Sequence, residues 1–339
     1  MRAIVVSRPG GHSSLELQER PNPEPRPGEA RVAVKAIGVN FADIAVRLGL
    51  YEAAKGRYPI VPGFEFSGVV DRAPEGGRWR AGDPVFGVTR FGAYSSSVVV
   101  PQDQLFPCPA GWDFPQCAGI PAVYLTAYYA LFHVAHVEAG DDLLIHSAAG
   151  GVGTALLQLA RIAGCRAIGV VGSEHKTALC LRLGAEAVIL RDHRWERRAK
   201  ELAPSGYDAV FDANGVSTPR PGFRLLAPGG RLVVYGFAEL LSKGSGGASW
   251  LKLGWRALRV PRFSPLEMTA SNRAVMGFNV VFLFHRKELI KSAMERLLGW
   301  IGEGKVSKVP VTSFPLEQAG RAHQALESGQ TMGKLVLTL

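Results

Sequence analysis

Residues 146–153 read His-Ser-Ala-Ala-Gly-Gly-Val-Gly and place Gly150, Gly151 and Gly153 in one short turn between two apolar stretches. A turn without side chains lets an anion approach the backbone, and a helix starting there offers free N–H groups and the positive end of its dipole. The matching chemistry is capture of a dinucleotide pyrophosphate, with Ala149 and Val152 completing the turn. Around it, 143–146 predicts a buried strand and 154–162 a helix with an apolar face. A second strand (166–171), a second helix (174–183) and a third strand (187–190) complete a dinucleotide-binding crossover.

The end of the second strand bears on which dinucleotide binds. An NAD site usually places an acidic residue about 20 residues past the glycine turn, on the ribose hydroxyls. Here that place holds Gly172 and Ser173. Ser173 can donate to a 2′-phosphate, and Lys176 and Arg191 can supply the positive charge a phosphomonoester needs. NADPH is therefore expected over NADH, with Glu174, one residue further on, as the feature that argues for NADH.

The remaining elements must position this turn. An N-terminal region of short strands, at 2–7, 30–39, 65–71, 84–88 and 95–100, is separated by Gly and Pro turns and predicts a compact, mostly antiparallel β domain. A helical pattern at 118–137 leads into the glycine turn, so a domain boundary is expected near Val123. Beyond the crossover, 207–212 and 231–235 predict further buried strands. Asn214 and Gly236 follow them at carboxyl ends, where an open parallel sheet forms its ligand crevice. A last sheet strand is expected at 277–283, then helices at 285–301 and 316–327 and a closing strand at 334–337, returning to the first domain.

The stretch 239–272 fits no simple crossover. It starts with SKGSGGAS and carries Trp250, Leu251, Leu253, Trp255 and Leu258 among Lys252, Arg256 and Arg259. Packing as a lid over the cleft or at a dimer seam is the expectation, because so much apolar surface does not stay exposed on a soluble monomer. An interfacial membrane helix is the alternative.

The chain has 339 residues, 47% of them hydrophobic, which suits two domains with buried cores. Lys and Arg outnumber Asp and Glu 39 to 29, for a net charge of +10. That balance suits anionic ligands, but the basic residues are scattered without a nucleic-acid-binding motif, so no nucleic acid partner is expected. No run of 18 apolar residues and no signal-peptide pattern appear, and the expected location is the cytoplasm. Cys108, Cys117, Cys165 and Cys180 show neither a CxxC pair nor metal-ligand spacing, so reduced thiols are expected.

Several motifs together resemble the zinc-independent quinone oxidoreductase branch of the medium-chain dehydrogenase/reductases: GVNFADI (38–44), GLY (49–51), PGFEFSGVV (62–70), TAYYAL (126–131), HSAAGGVG (146–153), GAEAVI (184–189) and LAPGGRLVVYG (226–236). The segment before MGFNV is similar to the insertion of vesicle amine transport protein homologues. The resemblance covers essentially the whole chain. It implies an α/β fold: a GroES-like, mostly-β catalytic domain from 1–123 and 284–339, and a Rossmann doubly wound parallel sheet over 124–283, the whole forming a homodimer. It also places Asn40, Thr126, Asn279 and Lys334 at the cofactor.

The zinc-dependent relatives hold their catalytic metal with a Cys, a His and a third ligand, and the matching positions here are Asn40, Phe64 and about Ala122. Phe64 and Ala122 cannot bind zinc and Asn40 alone is a poor ligand, so no metal is expected. Hydride delivery to an already electron-poor acceptor, a quinone or an α,β-unsaturated carbonyl, becomes the expected chemistry. Asn40 can donate to the developing oxyanion or to the nicotinamide carboxamide. Tyr51 can supply a proton or hydrogen bond, or merely pack on the substrate ring, and Asp43 is expected to orient its loop. Two alternatives stay open: an enoyl-thioester reductase of polyketide or fatty-acid type, and a low-turnover NADPH-binding protein acting at a membrane or partner surface.

Overall fold

The computed structural model describes residues 1–241, 254, 255 and 257–339; Trp250, Leu251, Lys252, Leu253 and Arg256 lie outside the described residues. Among the described residues, the strands form one small hairpin and two large sheets. The six-stranded sheet is parallel throughout, in the order Ala187–Leu190, Arg166–Val171, Asp142–His146, Tyr207–Asp212, Leu226–Val234, Ala274–Gly277. Its central strands are apolar runs such as DLLIH and RAIGVV, covered on both faces, as parallel strands require. Leu144 pairs with both Ile168 and Val210, which puts the glycine turn after Asp142–His146 in the middle of the carboxyl edge.

The seven-stranded sheet is mostly antiparallel. Its long strand Glu29–Val39 alternates buried and half-buried residues along much of its length, with one face on the core. Glu65–Arg72, Ser97–Pro101 and the C-terminal Lys334–Thr338 pair with it, the last in a register of Leu335 with Val39. Val311–Pro315 runs parallel to Lys334–Thr338, so the C-terminal strands are built into the sheet that begins with Glu29–Val39.

The helical pattern expected at 118–137 is built from Phe114–Ala118, Pro121–Tyr128 and a π-helical turn, Tyr129–Ala135, closed by His136 at a left-handed φ of 48°. The apolar run Phe114–Ala135 has the length and composition to cross a membrane, yet it is mostly buried within the protein. Pro121–Tyr128 packs on Gly151–Ile162 and on Lys287–Gly302. Val123 lies inside that helix.

The strand expected at 277–283 is corrected: the sheet strand is Ala274–Gly277, and Val280–Leu283 is a 3₁₀ turn. The Asn279 side chain accepts from the Val281 N–H at 3.3 Å and starts that turn, a local alternative that outcompetes the ladder.

Candidate active site

A cleft of about 830 Å³ runs along the carboxyl edge of the parallel sheet and continues against the β domain. Its wall brings together Asn40, Tyr51, Thr126, Ala149, Gly150, Gly151, Val152, Gly153, Gly172, Ser173, Lys176, Arg191, Asn214, Gly236, Asn279 and Lys334. Glu174 is exposed and lies outside this wall.

At the centre stands the start of the helix Gly151–Ile162, whose N-cap is Gly150. A helix leaves its first N–H groups without intrahelical partners, and here no capping side chain takes their place. A Cβ on Gly153 would run into the Ser147 carbonyl and come within 2.6 Å of the Ala148 Cα, so only glycine lets the turn close on its strand. Ser147 itself takes a left-handed φ of 54° and donates to Asn214 Oδ1 at 3.0 Å. Asn214 is 3% exposed and its Nδ2 has no partner among the described residues, a buried donor at the crevice. A helix start with no capping side chain and a waiting buried amide fit a dinucleotide.

Where the cleft meets the β domain, Asn40 is locked from both sides. Its Nδ2 donates to Glu65 Oε1 at 2.8 Å, and its Oδ1 accepts from Lys334 Nζ at 2.7 Å. Lys334 and Glu65 form an ion pair at 2.6 Å, and Glu65 Oε2 accepts from the Ala122 N–H at 2.7 Å. Gly38 makes room for this: a Cβ there would meet the Ala118 carbonyl at 2.6 Å as well as the Glu65 carboxylate. One of the two N–H groups expected to serve the developing oxyanion or the nicotinamide carboxamide is thus held by Glu65. Asp43 forms a capping box with Asn40, taking the Asn40 N–H at 2.8 Å and the Gly63 N–H at 3.0 Å. Burial nevertheless pushes the Asp43 carboxyl up to about 7, against the pull of those hydrogen bonds and of Lys334.

Tyr51 sits at the aromatic end, edge-on to Phe64 at 5.4 Å and to Phe91 at 6.5 Å. Its hydroxyl lies 3.1 Å from Asn279 Nδ2 and 3.3 Å from Asn279 Oδ1, linking the β domain to the turn after the last parallel strand. Burial pushes the phenol up to about 12, more than the Asn279 hydrogen bond lowers it. Tyr51 is therefore a neutral O–H donor. Thr126 turns its hydroxyl back to the Ala122 carbonyl at 2.6 Å.

The opposite end carries the two cations expected at a phosphate, each with a partner inside the protein. Arg191 does not stand alone: its Nη1 lies 3.3 Å from Glu239 Oε1. Glu239 also accepts from the Ser217 N–H and hydroxyl, each at 2.8 Å. Lys176 is buried and directs an N–H to the Gly329 carbonyl at 2.5 Å, closing the helix Ala319–Ser328. Ser173 remains half-buried on the wall. From the insertion, Trp255 and Arg259 also line the cleft, whereas Leu258 is 82% exposed.

No group of three His, Cys, Asp or Glu suited to a metal occurs among the described residues, and Phe64 and Ala122, which the resemblance matches to metal-ligand positions, carry no donor side chain for zinc. Sequence reasoning missed Glu65 and Glu239. Glu65 follows Phe64 directly, and its burial opposite a lysine over two hundred residues away leaves no local signal.

Comparison with known proteins agrees with this geometry. Residues 26–110 match the alcohol dehydrogenase GroES-like domain and residues 183–337 the zinc-binding dehydrogenase family. The mouse synaptic vesicle membrane protein VAT-1 homolog is 32% identical over 99% of this chain and 83% of its own length. Rat quinone oxidoreductase is 30% identical over 100% of this chain and 98% of its own. The structure of Escherichia coli quinone oxidoreductase complexed with NADPH superposes with a TM-score of 0.87 at 29% identity, covering all of both chains. The chain belongs to the medium-chain dehydrogenase/reductase superfamily, in its quinone oxidoreductase branch.

Proposed function

We infer that this protein is an NADPH-dependent reductase that passes hydride to a quinone or an α,β-unsaturated carbonyl without zinc. The observation that carries the reading is one continuous cleft: its glycine turn suits a pyrophosphate, and its other end is apolar and aromatic, with Phe64 and Ala122 at two of the places where a metal would need ligands. The E. coli relative's complex with NADPH supports the choice of cofactor. When bound, that cofactor supplies the hydride.

The chain's own residues do the rest. The Gly150–Gly153 turn and Asn214 hold the dinucleotide along the sheet edge. Asn40, fixed by Glu65 and Lys334, orients the reacting end. Phe41, Phe64 and Phe278 give a planar acceptor an apolar seat and keep water away. Tyr51 faces that seat as a hydrogen-bond donor for an oxygen gaining negative charge. Without a Lewis acid, positioning and this donor must suffice, which suits acceptors that are electron-poor on their own.

A homodimer in the cytoplasm belongs to the same proposal. Ala274–Gly277 ends the parallel sheet with one edge unpaired among the described residues, a place where a second copy can add. The test of the function is NADPH oxidation by chelator-treated protein across quinones, enones, enoyl thioesters and simple ketones. Turnover confined to quinones and enones is expected. Turnover of simple ketones that needs added zinc, or no turnover with any acceptor, sinks the reading.

A further inference from the structure

The insertion contributes a stacked cation to the cleft. The Arg259 guanidinium lies 3.5 Å from the centroid of the Trp255 ring, and both side chains line the cleft although Trp255 is 57% exposed. A guanidinium flat on an indole keeps its in-plane N–H groups available, and the stack restrains it for bidentate contact with a phosphate.

The chain's path points to the end of the cleft that this cation serves. Phe263, four residues after Arg259, packs on Phe223 at 5.2 Å, and Glu267 pairs with Arg220 at 2.7 Å. Those partners belong to the helix Pro219–Arg224, which begins two residues past Ser217, the residue bonded to Glu239. Four extended residues span at most about 14 Å. Arg259 is thus tethered, through Phe263 and Glu267, to the helix that follows Ser217, and Ser217 bonds the Glu239 that pairs with Arg191, whose strand borders the adenosine side of a Rossmann sheet. Charge points the same way. Glu239 already compensates Arg191, so a dianionic phosphomonoester arriving there calls for another cation.

We propose that Arg259, over the ring of Trp255, is a specificity-determining contact for the 2′-phosphate on the adenosine ribose. The proposal rests on the NADPH reading above and adds to it a residue from the insertion. Binding of 2′,5′-ADP and of 5′-AMP, measured by calorimetry on the whole protein, tests it without any turnover. The unaltered protein is expected to prefer 2′,5′-ADP by about tenfold or more. Arg259→Ala is expected to lose about tenfold in 2′,5′-ADP affinity, with 5′-AMP binding and the melting temperature unchanged, and Arg259→Lys is expected to recover only part of the loss. If the protein prefers 2′,5′-ADP and Arg259→Ala keeps that preference in full, or weakens both ligands equally, Arg259 is not the contact and the cofactor reading stands. If the unaltered protein binds both ligands equally, the cofactor reading itself fails and this proposal with it.

Discussion

Lys334 Nζ lies 2.6 Å from Glu65 Oε1, and the two side chains are 3% and 0% exposed. The pair ties the C-terminal strand to the N-terminal sheet and fixes the Asn40 amide at the edge of the cleft. Truncating one partner of such a pair leaves an uncompensated buried charge, at a cost of about 3–5 kcal/mol. Glu65→Ala is thus expected to lose that much stability in urea unfolding, whereas Glu65→Ala combined with Lys334→Met should lose less than the sum of the single changes. A loss under about 1 kcal/mol for Glu65→Ala would show the pair to be incidental.

Tyr51 offers a hydroxyl whose proton stays in place, since burial raises the phenol to about 12. Replacing it by Phe removes the donor and keeps the ring. The expected result is a fall of about tenfold in kcat/KM, the worth of one hydrogen bond of about 1.4 kcal/mol, with NADPH affinity unchanged. The unaltered enzyme should show no inflection from this residue below about pH 11. Unchanged kcat/KM in the Phe variant would reduce Tyr51 to a packing ring.

Asp43 gives stability an unusual pH dependence. Its carboxyl titrates near 7 in the folded protein, against an ordinary 3.8. Between those values the folded chain holds a proton that the unfolded chain has lost, so this contribution is complete below about pH 4 and is lost as pH rises through 7. His323, buried and held below its ordinary value, acts in the opposite direction, but it is common to a comparison of the unaltered protein with Asp43→Asn. In that comparison the unaltered protein should gain about 1–2 kcal/mol on going from about pH 8 to about pH 5.5. A difference independent of pH would mean that its hydrogen bonds keep Asp43 ionised.

The sequence made the glycine turn and most sheet strands legible because each is a local signal: an apolar run, a side-chain-free turn, an apolar helix face. The pattern of elements also pointed to the return of the C-terminal strand to the first domain, while motif resemblance supplied the residues from the distant parts of the cleft. What stayed hidden were relationships between far positions. Glu65 and Lys334 are ordinary charges until folding buries them together, and Arg191 gains its Glu239 partner only when another strand end arrives beside it. The strand expected at 277–283 failed for a local reason, the Asn279 cap, which periodicity does not register.

The central claim is metal-free hydride transfer from NADPH to an electron-poor acceptor, and isotopic labelling tests it most directly. Chelator-treated protein would be given NADPH deuterated at the transferring position of the nicotinamide ring, together with an enone, in a single turnover. Slower oxidation than with ordinary NADPH and a product carrying deuterium on its β-carbon are expected. Product without deuterium, or labelled product that forms only after zinc is restored, would contradict it.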